Sequence, residues 1–305
     1  MSFLYALPGA VAEGIIWGIM AIGVYISYKI LDIADLTVDG SICTGGCVCA
    51  VCLAAGMPVW ASMLLALLAG GLAGTFTGLL HTALGIPSIL AGILTQLMLY
   101  TVNLIILGGR SLVAIDPRAN ALWVHMSNNP LSILVGAGIV AALIVGLWLF
   151  FYTEVGLTLK STGDNPDMSR AQGVDVKRNK VLGLAIANAI VALAGALYAQ
   201  YKGSASLQDG RGAIVIGLAA IFIGLSVSLK IKPNFVVSLI GVVGGGIVYY
   251  VIYNFVILLG LPTDYLKMLS AVIVVLFLAI PYLKGEYFNK PKALPLAQTG
   301  GQEDA

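Results

Sequence analysis

No lysine, arginine, aspartate or glutamate occurs between residues 41 and 109 of this sequence. A soluble domain needs charged side chains on its surface, whereas about 20 consecutive apolar residues are enough for a helix to cross a bilayer. The interval therefore predicts three helices, at 41–56, 59–82 and 86–108, with breaks at Pro58 and at Gly85-Ile86-Pro87. The first is short for a full crossing, which leaves a broken or partial helix as an alternative there.

The whole chain has the composition of an integral membrane protein. Of its 305 residues, 59% are hydrophobic and 10% are charged, and the mean hydropathy is +0.99. The net charge of +2 gives no indication of nucleic-acid binding. Further apolar segments lie at 8–28, 131–152, 181–201, 213–229, 235–259 and 266–281. We predict an all-α, polytopic membrane helix bundle of about nine transmembrane helices, with a range of eight to ten.

The predicted spans divide the chain into a transmembrane domain, 1–284, and a polar tail, 285–305. The tail has nothing with which to build a core and is expected to be disordered and cytoplasmic. The N-terminus has no Lys or Arg before its apolar run, so the first span is expected to be retained. Glu13 lies near the outer end of that span, where a structural or interfacial role is favoured over a proton site. Tyr249, Tyr250 and Tyr253 suit an interfacial aromatic belt.

A polar stretch, 154–180, interrupts the apolar sequence and contains five of the chain's 16 lysines and arginines. Within it, Asn165 and Pro166 are typical of a helix start, and Gly173 can adopt the left-handed conformation that ends a helix. The pattern predicts a helix of about two turns over 166–172, outside the membrane. Such a helix can lie on the bilayer, dock into another protein or belong to a solvated loop.

The cations of this stretch also predict an orientation. Placing them in the cytoplasm puts Lys230, Lys232 and the basic part of the tail on the same side, with the N-terminus outside. Because Lys and Arg also occur on the opposite faces, the bias is moderate.

Small and polar side chains form two patterns on the predicted spans. A small-residue stripe on 59–82 favours packing within one protomer over a dimer interface. Three polar residues on 86–108 share one helical face, because they are spaced at i, i+4 and i+7. They act either in hydrogen bonds between helices or as the lining of a transport pathway, and the sequence favours neither. The stripe consists of Ala66, Gly70, Gly74 and Gly78, and the polar face of Gln96, Tyr100 and Asn103.

Four cysteines lie in the first charge-free segment with the spacing C-x3-C-x-C-x2-C. This spacing matches no zinc or iron–sulfur pattern, and cysteine behaves as a small apolar residue in a packed helix. His125 has no Cys or second His near it in the sequence. We therefore expect no metal site, and the cysteines in question are Cys43, Cys47, Cys49 and Cys52.

The motifs of several enzyme classes are absent from the sequence. It contains no G-x-x-x-x-G-K-[ST], H-E-x-x-H or G-x-S-x-G, and no plausible pair of carboxylates within the spans. No catalytic residue and no cofactor are therefore expected. An ion-coupled secondary transporter usually places an ionisable group at the membrane midplane, but in the charge-free interval His81 alone qualifies and it lies at a span end. A pathway driven by a separate motor fits better.

Three segments carry a resemblance to a known family. The stretch LKSTGDNPDMSRAQGVDVKRNKVLGLAIANAIVALAGALYA resembles the cytoplasmic coupling loop and following helix of ABC importer permeases for branched-chain amino acids, ribose and related monosaccharides. The segments DLTVDGSICTGGCVCAVCLAAG and GIPSILAGILTQLMLYTVNLIILGGRSL resemble the family's second segment and the one after it. The matches keep the family's order from about Leu31 to Leu283. Residues matching the coupling motif are Gly163, Asn165, Pro166, Ala171, Gly173 and Val176.

The chain departs from the family pattern at two places. Ser161-Thr162 replaces the Arg-Ala pair that usually precedes the motif's glycine, and the cysteines replace Ala, Gly or Leu. The resemblance implies that the motor contacts lie on the coupling loop, 154–180. The residues expected there are Gly163, Asp164, Asn165, Pro166, Arg170, Ala171 and Gly173.

The resemblance also implies a set of partners and a location. They are a second permease copy, expected as a homodimer, two ABC ATP-binding subunits that bind the ATP, and an extracytoplasmic solute-binding protein. The expected location is a prokaryotic cytoplasmic membrane. A pathway without embedded charge favours a neutral or zwitterionic solute, with an amino acid as the first expectation and a sugar or nucleoside as the alternative. A secondary transporter working alone is the alternative of a different class.

Overall fold

The computed structural model describes residues 2–116, 122–228 and 234–258, together with Met268, Ala271, Val272 and Val275. The described helices are α1 (Ser2–Tyr25), continued by a π-helical turn (Ile26–Ile30), α2 (Val38–Ala54), α3 (Val59–Thr82), α4 (Ser88–Ile106), α5 (Asn129–Phe151), α6 (Glu154–Asp164), α7 (Pro166–Ala171), α8 (Val176–Lys202), α9 (Ala213–Ser228) and α10 (Phe235–Leu258). Two short strands are β1 (Leu112–Ala114) and β2 (Ser204–Ser206).

Six of the described helices are long and apolar enough to cross a membrane, so the chain is a multi-pass membrane protein. The six spans are Ala6–Ile30, Val59–Thr82, Ser88–Ile106, Asn129–Phe151, Val176–Lys202 and Phe235–Leu258. The predicted count of about nine is not confirmed. Helices α2 and α9 have 17 and 16 residues, fewer than the roughly 20 that a full crossing needs. The predicted last span, 266–281, and the tail, 285–305, lie outside the described residues.

Helix α8 is the centre around which α1, α2 and α3 pack. The small-residue stripe on α3 faces it, because a Cβ atom added to Gly70 or Gly74 would meet the α8 backbone and one added to Gly78 would lie 2.8 Å from Val181 Cα. Without these glycines the two helices could not approach so closely. The prediction that this stripe packs within the protomer is confirmed.

Between α1 and α2 the chain passes through the protein interior as irregular backbone. Asp35, fully buried there, accepts hydrogen bonds from Asn188 Nδ2 at 2.6 Å and from the Thr37 amide at 2.9 Å. Ser41 donates to the other side of the Asn188 amide at 2.6 Å. Irregular backbone at membrane depth is tolerated where protein groups satisfy it. Helix α2 therefore begins inside the bundle, next to the middle of α8, which explains its shortness.

The prediction of an all-α fold misses one feature. Strands β1 and β2 pair antiparallel, with Val113 opposite Ala205, and join the segment after α4 to the end of α8. Three-residue strands have too few residues for a recognisable period, so the sequence gives no signal for them.

The aromatic residues of α10 are not arranged as an interfacial belt. Tyr249 and Tyr250 are buried, and Tyr250 stacks on Trp17 of α1 with 5.7 Å between ring centroids. The belt prediction is wrong for these two, because α10 packs along α1 and this face lies in the protein core. Glu13 is half-buried on the same helix α1, with the ammonium of Lys202 as an electrostatic neighbour. Its predicted structural role stays a prediction.

Candidate functional site

Two short helices, α6 and α7, connect the membrane helices α5 and α8. Thr153 Oγ1 accepts a hydrogen bond from the Gly156 amide at 3.3 Å and so caps α6. Leu159 is fully buried, whereas the neighbouring charged side chains Glu154 and Lys160 are exposed. The sequence analysis missed this helix. The signal was present in the Thr cap followed by an acidic residue in the first turn.

Helix α7 has the ends that the sequence predicts. Asn165 Oδ1 accepts a hydrogen bond from the Met168 amide at 3.0 Å, and Pro166 occupies the first helical position. Gly173 has φ +83°, and the next amide, Val174 N, bonds back to the Ser169 carbonyl at 3.1 Å. This back-bond closes the helix in the usual glycine-ended form. The helix ends at Ala171, one residue earlier than predicted.

One face of α7 holds it to the protein and the other is exposed. Ser169 is buried and its hydroxyl donates to Ser161 Oγ of α6 at 3.2 Å. Met168 is 59% exposed, and Arg170 pairs with Asp167 at 3.2 Å on the surface. Of the predicted motor-contacting residues, those on the exposed surface are Asp164, Asn165, Arg170, Ala171 and Gly173.

Gly163 has a different position from the other residues of the motif. A Cβ atom added to it would collide with the Ile30 carbonyl oxygen at the end of the π-helical turn. The absence of a side chain at residue 163 therefore allows α6 to lie directly against the π-helical turn that follows α1. This is the end of the first span that is predicted to face the cytoplasm. Pro166 is half-buried as well. Gly163 and Pro166 therefore help to position the exposed surface of α7 and are less accessible than the other residues predicted to contact the motor.

The three polar residues of α4 share a cavity of about 350 Å³. Asn103 is buried, Gln96 is half-buried and Tyr100 is 47% exposed. The cavity lies between α4, α2 and the segment that leads from β2 to α9. Its lining residues are Asp39, Gly40, Cys43, Gln96, Leu97, Tyr100, Asn103, Leu207 and Arg211. The predicted shared face therefore borders one space, and its role as a transport pathway stays a prediction.

Asp39 and Arg211 are lining residues that the sequence analysis did not identify. Asp39 Oδ2 accepts from the Gly212 amide at 3.0 Å and Oδ1 accepts from the Ile214 amide at 2.9 Å, so the carboxylate caps the start of α9. Arg211 is exposed and immediately precedes Gly212. The two residues are 172 positions apart in the chain, and no local pattern relates them.

Three of the cysteines pack against backbone and side chains of neighbouring segments, and Cys43 and Cys47 both contact Leu207. Cys43 Sγ accepts a hydrogen bond from the Gly210 amide at 3.0 Å, Cys47 packs with Leu107 and Leu207, and Cys49 Sγ lies 3.6 Å from Gln200 Nε2. Each of the three thus fills space or takes part in a hydrogen bond with a neighbouring segment. Within the ranges that the structure describes, no three metal-binding side chains come together.

The cavity extends from the start of α2, beside the middle of α8, to Leu207 beyond the end of α8, whereas the exposed helix α7 precedes the start of α8. Helix α8 begins directly after the α6–α7 segment and ends before β2 and Leu207. With 27 residues it is about 40 Å long. A solute in the cavity and a protein bound to α7 would therefore be separated along the length of α8.

Comparison with known proteins identifies relatives over most of the chain. The family described as branched-chain amino acid transport system, permease component, matches residues 8–278. A tyrosine transport system permease protein of Clostridioides difficile (strain R20291) is 35% identical, covering 88% of each chain. An uncharacterized protein of Rickettsia prowazekii (strain Madrid E) is 31% identical over 91% of this chain and 97% of its own. The autoinducer 2 import system permease protein LsrC of Enterobacter sp. (strain 638) is 30% identical over 62% of this chain and 55% of its own. No solved structure matches.

Proposed function

Because the chain belongs to the family of branched-chain amino acid transport permeases, we propose that it forms the translocation pathway of an ATP-driven importer for an amino acid, tyrosine or a similar aromatic one. Membership of this family makes the chain a transport subunit of the ABC permease type. The identity of the solute as an amino acid is the more specific part of the proposal. It is supported by the tyrosine transport permease, which is 35% identical over 88% of this chain.

The exposed, capped helix α7 is the observation that supports a separate motor. It has six residues, is fixed at both ends, and is joined to two membrane helices through α6 and the start of α8. A helix this short is not stable alone, so its rigidity comes from its caps and from Ser169 packing on α6. Force applied to α7 by an ATP-binding subunit would therefore be passed to α5, α8 and, through Gly163, α1.

The remaining components follow from the same proposal. ATP would be bound by two ATP-binding subunits, and a second copy of this chain would complete the pathway. A solute-binding protein would deliver the amino acid outside. The assembly would lie in a prokaryotic cytoplasmic membrane, with 1–284 as the permease domain and 285–305 as a cytoplasmic tail.

A sugar-like solute is the second candidate, and one observation favours it. The autoinducer 2 import permease is 30% identical to this chain. It matches over 62% of this chain, less than the tyrosine permease does. The longer match is the reason for proposing the amino acid first.

Uptake by the reconstituted complex tests the proposal. Proteoliposomes containing this chain and its ATP-binding subunits, supplied outside with the solute-binding protein and inside with ATP, are expected to accumulate radiolabelled tyrosine. Ribose added in excess should not compete. Accumulation without ATP would indicate a secondary transporter, and ATP-dependent accumulation of ribose in place of tyrosine would favour the second candidate.

A further inference from the structure

The cavity between α2, α4 and the segment before α9 contains both signs of charge. Asp39 lies on its α2 wall and Arg211 at the end of the 207–211 segment. The ion pairs within the described ranges join other side chains, so these two groups do not neutralise each other directly. A volume of about 350 Å³ is in the range of small-molecule sites.

A second feature of this cavity is an acceptor without a donor. Asn103 is 1% exposed, yet its Oδ1 atom has no hydrogen-bond partner among the described residues. Buried polar atoms are almost always paired, and an unpaired one indicates a missing group. Asn103 lines the cavity, and because its Oδ1 atom has almost no accessible surface, a molecule inside can supply the missing donor only after the amide turns towards the cavity.

The carboxylate of Asp39 is held in place and still has accepting capacity. Its two oxygens accept from the Gly212 and Ile214 amides, and the Ala213 amide interacts with the same carboxylate. A carboxylate has about four lone-pair sites, so one site remains for a further bond. Asp39 and Asn103 Oδ1 are thus acceptors, suited to an ammonium group. Arg211 offers a planar set of donors that matches a carboxylate.

From these groups, and resting on the proposed function, we propose that the cavity binds an α-amino acid as its zwitterion, with the ammonium at Asp39 and Asn103 and the carboxylate at Arg211. The amino-acid side chain would lie against Leu97, Tyr100 and Leu207, the apolar and aromatic part of the lining. A neutral sugar would supply no opposite charge to either group inside the cavity. The site therefore selects for the class of solute and not merely for its size.

Equilibrium binding to the purified complex of this chain and its ATP-binding subunits, without the solute-binding protein, tests the site. Radiolabelled tyrosine is the probe, and the competitors are tyramine, which lacks the carboxylate, and 3-(4-hydroxyphenyl)propanoate, which lacks the ammonium. Each analogue is expected to compete at least about tenfold more weakly than tyrosine, or about 1.4 kcal/mol. Equal competition by all three would overturn the proposal.

Two variants separate the charged groups from general damage to the fold. Arg211→Gln should abolish the preference for tyrosine over tyramine and keep the preference for tyrosine over 3-(4-hydroxyphenyl)propanoate. Asp39→Asn should abolish the preference over the propanoate and keep the preference over tyramine. A structural defect would weaken all ligands alike. Arg110→Gln is the matched control, since Arg110 is exposed and lies outside the cavity lining. It should bind as the wild type does.

Asn103 is tested by two substitutions of similar size. Asn103→Leu should weaken tyrosine binding severalfold because it removes the acceptor, whereas Asn103→Asp keeps an acceptor and should retain binding. Wild-type binding by Asn103→Leu would exclude a role for Asn103 in binding.

The proposed function and this binding site can be contradicted separately. A wild-type complex that imports tyrosine but shows no binding, or no change in the Arg211 and Asp39 variants, contradicts the site alone. Import of ribose in place of tyrosine contradicts both.

Discussion

At the scale of single residues, two glycines of the polar stretch are required for different physical reasons. Gly163 faces the Ile30 carbonyl so closely that a Cβ has no room, although its backbone is ordinary helix. Gly173 has open space around it, but its φ of +83° is a conformation that L-residues rarely adopt. Gly163 is required for a close contact between two elements, and Gly173 is required for the backbone conformation that ends a helix.

Gly163→Ala is predicted to destabilise the permease, because α6 must move away from the end of α1. Overpacking of this kind costs about 1–3 kcal/mol. The matched control is Gly138→Ala in α5, where a Cβ would meet nothing within 4 Å. The thermal midpoint of the detergent-purified protein is the measurement. Equal midpoints for the two variants would show that α6 does not pack against Ile30 as described.

Replacing all four cysteines by alanine is predicted to leave assembly and uptake nearly normal. Cys43, Cys47 and Cys49 fill space between helices and neighbouring segments, and alanine leaves only a small void at each. The test is uptake by the four-fold variant, normalised to protein in the membrane, together with the metal content of the wild type. Stoichiometric zinc or iron in the wild type, or lost uptake in the variant, would contradict the space-filling interpretation.

At the scale of elements, the polar stretch 154–180 carries two similar surface ion pairs, one on α7 and one at the start of α8. Arg170 pairs with Asp167 on α7 at 3.2 Å, and Arg178 pairs with Asp175 at the start of α8 at 3.1 Å. Both are exposed i,i+3 pairs, so each contributes at most about 1 kcal/mol to stability. Their difference lies in position, since Arg170 is beside the exposed Met168 on α7.

Arg170→Glu is predicted to weaken co-purification of the ATP-binding subunits, with Arg178→Glu as the chemically matched control. The substitution removes a positive charge that can contact the ATP-binding subunit and places a negative charge there. Both changes act against binding. Expression and the thermal midpoint of the permease should be unchanged in both variants. Equal retention of the ATP-binding subunits by the two variants would remove α7 from the docking surface.

At the scale of the whole molecule, hydropathy identifies the long helices because it is a local property. The predicted spans 59–82 and 235–259 correspond closely to α3 and α10. The ends of α7 could likewise be predicted, because Asn165 and Gly173 act through hydrogen bonds within a few residues.

Helix α6 was missed despite its local Thr153 cap, but the other features that differ from the prediction depend on contacts between distant segments. Helix α2 starts inside the bundle because Asp35 meets Asn188, and the cavity gains its charges because Asp39 caps α9 beside Arg211. The same cause buries Tyr249 and Tyr250 against α1. Periodicity along one helix cannot specify the partner at the other end of such a contact.

In the proposed function, α7 couples a motor to the solute pathway, and ATP hydrolysis in proteoliposomes tests this coupling most directly. Coupling between two binding sites acts in both directions, so solute-loaded binding protein added outside must alter hydrolysis inside. We predict severalfold stimulation by loaded binding protein for the wild type, and little or none for Arg170→Glu under conditions where its ATP-binding subunits remain bound. Equal stimulation of both would contradict the account.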